Sequence, residues 1–254
     1  MTYLKKQLIY LKEKFDFFIK IKRAYFFYKN PGIKSMNLTL HPEGEFLSDE
    51  IRTSKTYYEI DLLIFMYNNY DCQRFCDIGA NIGNHSNFFE RLGSKGWAIE
   101  PFSNNFTLLK LNAPTFQLFN LALSDKSGIE KFVTYESCFG NGNLISNFDN
   151  KIQNFGTGPI FENVRVEKLD NLGIENPTII KIDVEGAELK VLRGAEQTLL
   201  KYKPVICIEL HSDKILKKDG FNYSRKDIID FLFSLGYKKT ISFDSRNHFF
   251  EKNN

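Results

Sequence analysis

Three acidic residues lie close together where an apolar strand pattern gives way to a helical one. In TIIKIDVEGAELKVLRGAEQTLL, residues 178–200, they are Asp183, Glu185 and Glu188. Residues i and i+2 share one face of a strand, so Asp183 and Glu185 are expected to point the same way unless the turn intervenes. Glu188 falls in the first helical turn, where the helix dipole stabilises a negative charge. Carboxylates packed this closely repel one another unless a positive group shares the site, and Lys181 can pair with one of them. The stretch therefore predicts a functional site that holds a positive charge.

A glycine loop led by an aspartate follows an earlier strand. DIGANIGN, residues 77–84, has G-x-x-x-G spacing instead of the G-x-G-x-x-G of dinucleotide folds. Asp77, directly before the loop, suits a cationic ligand better than two phosphates, and His85 after it either contacts a ligand or fills the helix start. Glu100 ends the next strand, where an acid commonly binds ribose hydroxyls. Together these features favour an adenosine-like ligand with a positively charged head, a description that S-adenosylmethionine meets.

Strand and helix patterns alternate from residue 74 onward, which predicts an α/β fold, Rossmann-like and doubly wound, with a mostly parallel sheet. The predicted strands are residues 74–80, 96–102, 116–125, 178–184 and 204–211, the helices 84–93, 103–112, 187–200 and 224–235, and a C-terminal antiparallel hairpin 238–243 with 248–252. Two β-like pieces, residues 130–136 and 162–169, flank a Gly/Asn-rich stretch at 138–160, which is interpreted as a lid or substrate loop. Ligands of such sheets bind outside the carboxyl ends of the strands, where the acids lie.

A basic helical pattern precedes this domain. Apolar residues at 4, 8, 11, 15 and 18 predict an amphipathic helix over residues 3–28, and residues 1–30 carry eight Lys or Arg against two acids. The helix is expected to pack on the catalytic domain or on a second subunit, or else to contact a membrane surface. Residues 33–55 look irregular or weakly stranded, and 57–67 helical. We therefore expect an N-terminal helical extension at 1–55 and one domain at 56–254.

Composition excludes several classes of protein. The chain of 254 residues has a net charge of only +3, which is too small to indicate a nucleic-acid partner. It contains no run of about 18 apolar residues that would predict a transmembrane helix, and no secretory signal pattern. The four cysteines show neither a C-x-x-C pair nor zinc-like spacing. A cytoplasmic protein is expected.

Five blocks of the sequence resemble a known family. DIGANIGNHSNFF, AIEPFSNNFTLLKLN, NLALSDKSG, VRVEKLDNL and IIKIDVEGAELKVLRGAEQTL are similar, in order and spacing, to the FkbM family of class I S-adenosylmethionine-dependent methyltransferases. The resemblance covers residues 57–211 or so. It implies a seven-stranded methyltransferase sheet and, commonly, O-methylation of sugar or polyketide hydroxyls.

The resemblance also implies a set of cofactor-binding residues. The methionine end of the cofactor would be lined by Asp77, Gly79, Asn81, Gly83 and Asn84. Glu100 would hold the ribose, Pro101 and Phe102 would border the adenine, and Asn120, Leu121 and Ala122 would close the adenine side.

The strand PVICIELH, residues 204–211, ends with the same i, i+2 spacing of polar residues, Glu209 and His211. In the methyltransferase sheet this strand neighbours the one that precedes Asp183, so Asp183, Glu209 and His211 could converge on Mg²⁺, Mn²⁺ or Fe²⁺. The alternative is a metal-free site in which His211 or Asp183 is the general base, while Glu185 and Glu209 bind substrate hydroxyls. Asp183, Glu185 and His211 are the catalytic candidates, and both versions remain open at this stage.

The predicted function is S-adenosylmethionine-dependent O-methylation of a sugar hydroxyl, on a nucleotide-activated or surface-polysaccharide sugar. One alternative is O-methylation of a polyketide or other small metabolite. Another is a non-catalytic nucleotide-sugar or cofactor-binding module attached through the basic helix. The expected partners are a small-molecule substrate and, through that helix, a second copy of the chain or a membrane surface.

Overall fold

The computed structural model of the chain describes residues 19–34, 36–147 and 158–252. Its helices are α1 (residues 19–29), α2 (Pro31–Lys34), α3 (Phe46–Ser54), α4 (Ile60–Asn69), α5 (Asn84–Arg91), α6 (Ser103–Asn112), α7 (Glu188–Gly194), α8 (Glu196–Tyr202), α9 (Asp213–Lys218) and α10 (Arg225–Ser234). Its strands are β1 (Arg74–Ile78), β2 (Lys95–Ile99), β3 (Gln117–Phe119), β4 (Ala122–Leu123), β5 (Gly128–Tyr135), β6 (Cys138–Leu144), β7 (Pro159–Glu167), β8 (Ile179–Ile182), β9 (Val205–Glu209), β10 (Tyr237–Ser242) and β11 (Asn247–Lys252). Most of the predicted helix over 3–28, and the middle of the predicted loop at 138–160, lie outside the described residues. None of the described helices is both long and apolar enough to cross a membrane.

The main sheet confirms the predicted architecture. Seven strands of the described chain pair in the order β3-β2-β1-β8-β9-β11-β10. All neighbours are parallel except at β11, which runs antiparallel to both β9 and β10 and so makes the predicted closing hairpin. The reversal of strand order between β1 and β8 opens a crevice at the carboxyl ends of these central strands, which is where ligands of open α/β sheets bind.

The central strands are buried on both faces, which explains their continuous apolar patterns. Alternate residues face opposite layers: Cys76 and Ile180 pack with α7, α8 and α10, whereas Phe75 and Ile179 pack with α4 and α5. The side-chain alternation of the strands thus fixes which residue of each strand end faces which layer.

A second sheet confirms the two predicted β-like pieces, as β5 and β7, and corrects the predictions for residues 116–125 and for the start of the loop. Its four strands, within the described residues, run in the order β4-β7-β5-β6. The predicted strand 116–125 is divided between β3 in the main sheet and β4 in the second sheet, and the predicted loop begins with β6. The glycines of β6 are typical of a loop in sequence. Gly142 is nevertheless required in this strand, because a Cβ there would lie 2.1 Å from the ring of Phe132 across the strand pair.

Two further elements differ from the sequence-based prediction. The predicted helix 187–200 is broken at Ala195 (φ −111°), next to Gly194, whose missing Cβ leaves room for the Ser124 carbonyl. Residues 46–54, expected to be irregular or stranded, form α3, because the carboxylate of Glu45 accepts hydrogen bonds from the Leu47 and Ser48 amides at its start.

The N-terminal segment shares a core with the sheet domain. Phe26 of α1 is buried and stacks on Phe88 of α5 with ring centroids 5.7 Å apart. Arg23 pairs with Asp61 of α4 at 2.7 Å. The described part of α1 is therefore anchored to α4 and α5.

Candidate active site

A cavity of about 350 Å³ opens at the carboxyl ends of β1, β2 and β8, a volume within the usual range for small-molecule sites. Most of the sequence-predicted site residues line it: Gly79, Asn81, Asn84, His85, Glu100, Pro101, Leu121, Ala122, Asp183, Glu185 and Glu209. The others, Asp77, Gly83, Phe102, Asn120 and His211, are not among the residues that line it.

The glycine loop is held against two strand ends. The amides of Gly79 and Ala80 both donate to the Ile99 carbonyl of β2 at 3.0 Å. Gly79 has a φ of +82°, and a Cβ there would lie 1.8 Å from the backbone oxygen of Asp183. Only glycine permits this combination of conformation and close approach. The loop therefore brings the first strand end into direct contact with the acid that ends β8.

Glu100 is bound to the same loop. Its carboxylate accepts hydrogen bonds from the amides of Asn81 at 3.0 Å and Phe102 at 2.9 Å, and it is buried. Burial raises the pKa of Glu100 to about 7, although the amide hydrogen bonds act in the opposite direction. The side chain of Asn120, the predicted adenine-side residue, donates to the carbonyls of Glu100 and Pro101 and so fixes the backbone of this strand end.

Three further predicted cofactor residues are held in place by neighbouring side chains and backbone. Asp77 is fully buried; one of its oxygens accepts from Ser86 at 2.6 Å and the other has no hydrogen-bond partner. The carboxamide of Asn84 exchanges hydrogen bonds with the backbone of Tyr58, both 3.0 Å long. Nε2 of His85 lies 3.4 Å from the buried carboxylate of Glu59.

Lys181 supplies the positive charge that the acidic stretch requires. Its side chain is only 1% exposed, and Nζ donates to Oδ2 of Asp183 at 2.7 Å. Burial lowers the pKa of Lys181, but the nearby carboxylates of Asp183, Glu59 and Asp77 outweigh it and raise the pKa. Burial likewise raises the pKa of Glu59, yet the contacts with His85 and Lys181 bring it down to about 2. A buried ammonium thus neutralises acids from three elements.

Glu185 and His211 form a second pair. β8 ends at Ile182, and Glu185 adopts a left-handed conformation with a φ of 53°. The turn therefore intervenes before Glu185, so the strand-like alternation with Asp183 does not extend to it. Nε2 of His211 lies 3.3 Å from the Glu185 carboxylate, which raises the pKa of His211 to about 9.

The predicted metal site is not assembled. β8 and β9 are neighbours as expected, but Asp183 faces Lys181, Glu209 faces Arg246 at 2.8 Å, and His211 faces Glu185. Across residues 19–34, 36–147 and 158–252, no group of three or more His, Cys, Asp or Glu side chains could hold a metal ion. The carboxylates already have cationic partners from the chain itself, so these residues do not fit a metal centre.

Glu188 occupies the helix start that the sequence predicts. It begins α7, is fully buried, and accepts from the Gly186 amide at 2.9 Å. Its second oxygen has no hydrogen-bond partner. Burial raises the pKa of Glu188 to about 7, although the amide hydrogen bond lowers it.

Several cavity residues escaped sequence reasoning. Phe46, Tyr58 and Arg246 all line the cavity. They come from α3, the segment before α4 and the turn between β10 and β11, and no local motif marks them. Phe139 of β6 also lines the cavity and belongs to the stretch that was interpreted as a lid or substrate loop. Only the position of Arg246 in a hairpin turn next to the strand that ends in Glu209 gives a sequence-level hint.

Comparisons with known proteins bear on this site. A family model described as "Methyltransferase FkbM domain" matches residues 77–239. The chain is 26% identical over 208 residues to the AMB antimetabolite synthetase AmbE of Pseudomonas aeruginosa, covering 66% of this chain and 10% of that protein. It is 29% identical over 140 residues to the hexuronic acid methyltransferase AglP of Haloferax volcanii, covering 54% of this chain and 55% of that protein. The chain therefore spans about a tenth and about half of the length of these two relatives.

Solved structures give weaker similarity. The methyltransferase FkbM from Methylobacillus flagellatus matches with a TM-score of 0.49 and 18% identity, over 71% of this chain and 44% of that one. The magnesium protoporphyrin IX methyltransferase of Synechocystis, with bound SAH, matches with a TM-score of 0.49 and 11% identity, over 92% of this chain and 99% of that one.

Proposed function

The chain belongs to the FkbM methyltransferase family, and from this premise we propose that it transfers a methyl group from S-adenosylmethionine to a sugar hydroxyl. The observation that carries the proposal is one cavity whose wall includes both the glycine loop with Glu100 and the acids Asp183 and Glu185. One group of residues suits an adenosine-bearing cofactor, and the other suits a hydroxyl that must lose its proton.

The residues present fit this cofactor. A Cβ at position 79 would fill the space beside the glycine loop. Glu100 lines the cavity and suits the ribose hydroxyls of the cofactor. Pro101, Leu121 and Ala122 give an apolar border that suits the adenine. When bound, S-adenosylmethionine supplies a methyl group made electrophilic by the positive sulfur.

Asp183 is the general base in this proposal. It touches the glycine loop through its backbone and lines the cavity with its side chain. Lys181 holds one oxygen of the carboxylate, which orients the other for the acceptor hydroxyl. As the new carbon–oxygen bond forms and the carbon–sulfur bond breaks in line, the hydroxyl proton passes to Asp183.

Glu185 binds a neighbouring hydroxyl of the acceptor in the proposed mechanism. Glu185 lines the cavity. His211 is not among the lining residues, and its Nε2 contacts the Glu185 carboxylate. His211 is therefore a positioning residue. This assignment follows the metal-free version of the site, because the carboxylates are paired with Lys181, Arg246 and His211.

The sugar acceptor is supported by the relative described as a hexuronic acid methyltransferase and by the acidic, hydrogen-bonding wall. We place the acceptor among nucleotide-activated or surface-polysaccharide sugars in the cytoplasm. Similarity to an antimetabolite synthetase favours a small-metabolite hydroxyl as the second candidate.

Calorimetric titration with S-adenosylmethionine tests the cofactor part of the proposal. The wild-type protein should bind it, and Glu100→Gln should weaken binding by about 10- to 100-fold, the cost of losing a hydrogen bond to a charged group. Glu196→Gln, on the exposed start of α8, is the matched control and should leave the Kd unchanged. Absence of binding by the wild-type protein, or equal affinities for all three proteins, would contradict the proposal.

A further inference from the structure

Five cavity residues, Glu45, Phe46, Leu47, Tyr58 and Arg246, come from outside the part of the chain that the family model matches, and three of them carry aromatic or guanidinium groups. Phe46 begins α3, Tyr58 precedes α4, and Arg246 lies in the turn between β10 and β11, whereas the match covers residues 77–239. We call these three residues the flanking wall. The glycine loop and Asp183 lie inside the matched region, whereas the flanking wall comes from the segments on either side of it.

The flanking wall is rigidly attached to the cofactor side of the site. Glu45 caps α3, and the amide of Phe46 donates to the Ser137 carbonyl at 3.1 Å. The backbone of Tyr58 is held at both its amide and its carbonyl by the side chain of Asn84, the first residue of α5. A molecule against this wall is therefore held at a fixed distance from the glycine loop.

The flanking wall also reaches the acids. The guanidinium of Arg246 contacts the Tyr58 hydroxyl, and its Nη1 lies 2.8 Å from Oε1 of Glu209. Glu209 ends β9, next to the strand that leads to Asp183. These contacts put the flanking wall beside the acids and make it a candidate surface for the acceptor.

Phe46 offers an uncovered aromatic face. Its ring is 53% exposed at the cavity, and its centroid lies 6.5 Å from that of Tyr58, with the rings nearly perpendicular at 77°. The carbon–hydrogen face of a sugar ring packs well against such a surface, because aromatic rings combine large contact area with few rotatable bonds.

Arg246 offers donors beyond the two that its partners use. A guanidinium has five N–H groups in a planar fork that matches carboxylate and phosphate oxygens, and the Arg246 side chain is 51% exposed. Glu209 and Tyr58 do not use all five N–H groups, so the guanidinium retains donors for an anionic ligand.

We propose that the flanking wall of Phe46, Tyr58 and Arg246 is the acceptor subsite, and that it selects a sugar carrying an anionic group. The rings of Phe46 and Tyr58 pack against the sugar, and Arg246 donates to its carboxylate or phosphate oxygens. The inference rests on the proposed function, since it names the acceptor class of the same site.

Calorimetric titration of the protein saturated with S-adenosylhomocysteine tests this assignment without turnover. The probes are methyl glucuronide, which carries a carboxylate, glucose 1-phosphate, which carries a phosphate, and neutral methyl glucoside. At least one anionic probe should bind about tenfold or more tightly than the neutral one, the contribution of a charge-assisted contact. The probe that is preferred identifies the anionic group as carboxylate or phosphate.

Substitutions separate the contribution of Arg246 from that of the aromatic ring of Phe46. Arg246→Gln should abolish the preference for the anionic probe, and Arg246→Lys should retain part of it. Phe46→Ala should weaken all three probes several-fold. The matched controls are Arg165→Gln, an exposed arginine paired with Glu167 outside the cavity, and Phe233→Ala, a ring that is 50% exposed on α10. Both controls should behave as the wild-type protein does.

The outcomes distinguish this inference from the function on which it rests. Equal binding of anionic and neutral probes, or a preference that survives Arg246→Gln, overturns the subsite while binding of S-adenosylmethionine stays intact. Failure of the wild-type protein to bind S-adenosylmethionine overturns both proposals.

Discussion

At the scale of single residues, the acid cluster is balanced from within the chain. Lys181 lies among Asp183, Glu59 and Asp77, and Arg246 lies against Glu209. An ammonium removed from water is tolerated only when several carboxylates compensate its charge. The positive partner required by the sequence is thus a lysine two residues before Asp183, which also sets the orientation of that carboxylate.

Asp183→Asn isolates the role of the base. The amide keeps the shape of the side chain and an oxygen that can accept from Lys181, but it cannot take a proton from the acceptor hydroxyl. We expect kcat to fall by about 10²- to 10⁴-fold, with the Kd for S-adenosylmethionine changed only a few-fold. Steady-state kinetics and calorimetry measure the two quantities.

The control for this substitution is Asp230→Asn, which disrupts an exposed Asp–Lys pair on α10 and should leave kcat unchanged. A kcat for Asp183→Asn within a few-fold of the wild-type value would show that another group accepts the proton.

The individual site residues were predictable to the extent that local patterns determine them. Glu100 and Asp183 end buried strands, so spacing alone places them at the ligand edge. The partners Arg246 and Glu59 could not be predicted, because their contacts depend on how a distant hairpin and the N-terminal segment pack against the sheet. The metal-site prediction was wrong for that reason, because it considered the acidic residues but not the cationic side chains that contact them.

At the scale of secondary-structure elements, the glycine loop depends on close contact between strand ends. Gly79→Ala would place a Cβ 1.8 Å from the Asp183 carbonyl oxygen, whereas Gly93→Ala would meet nothing within 4 Å. Both glycines have positive φ values, +82° and +90°, so the cost of a left-handed alanine is common to both variants. We expect Gly79→Ala to lower the free energy of unfolding by about 1–3 kcal/mol more than Gly93→Ala, as is typical of overpacking.

Chemical denaturation of the two variants measures this difference, and calorimetry should show weakened cofactor binding only for Gly79→Ala. Equal losses of stability would mean that the loop has room to move away from β8.

The start of α7 predicts a pH dependence of stability. Burial raises the pKa of Glu188 from 4.5 to about 7, so in this range the folded protein keeps a proton that the unfolded chain releases. The contribution of Glu188 to stability is therefore complete below pH 4.5 and is lost as the pH rises through 7. Glu188→Gln, which is always neutral, should reduce the loss of unfolding free energy between pH 5 and pH 8 by roughly 3 kcal/mol at most.

Denaturation at the two pH values, with Glu196→Gln on the exposed start of α8 as the control, checks this expectation. The same pH dependence in Glu188→Gln and the wild-type protein would contradict the buried-acid assignment.

Secondary-structure elements were predictable where the strand is buried on both faces. The prediction failed where tertiary packing overrides the local preference of the sequence. β1, β8 and β9 are continuous apolar runs and were predicted from sequence. β6 was not, because its glycines resemble a loop, although Gly142 is needed where Phe132 crosses the strand. The break between α7 and α8 likewise depends on Gly194 packing against the backbone of Ser124, a contact across the fold that no helical periodicity reports.

At the scale of the whole molecule, the cavity joins the region that matches the family to segments on either side of it. The cofactor side is built from the main sheet, inside residues 77–239 that match the family. The flanking wall comes from the segments before and after them. Phe26 and Arg23 bind the N-terminal segment to α5 and α4, so the wall and the sheet share one core. Such a division allows the reaction to stay constant while the acceptor changes.

O-methylation of a sugar is tested most directly with a labelled methyl group on S-adenosylmethionine and a panel of nucleotide-activated and free sugars. Mass spectrometry and NMR then locate the label. We expect the label on a hydroxyl oxygen of an anionic sugar, with transfer by the wild-type protein and at least about 100-fold slower transfer by Asp183→Asn. Label on nitrogen or carbon, or no transfer to any sugar by a protein that binds the cofactor, would contradict O-methylation of a sugar.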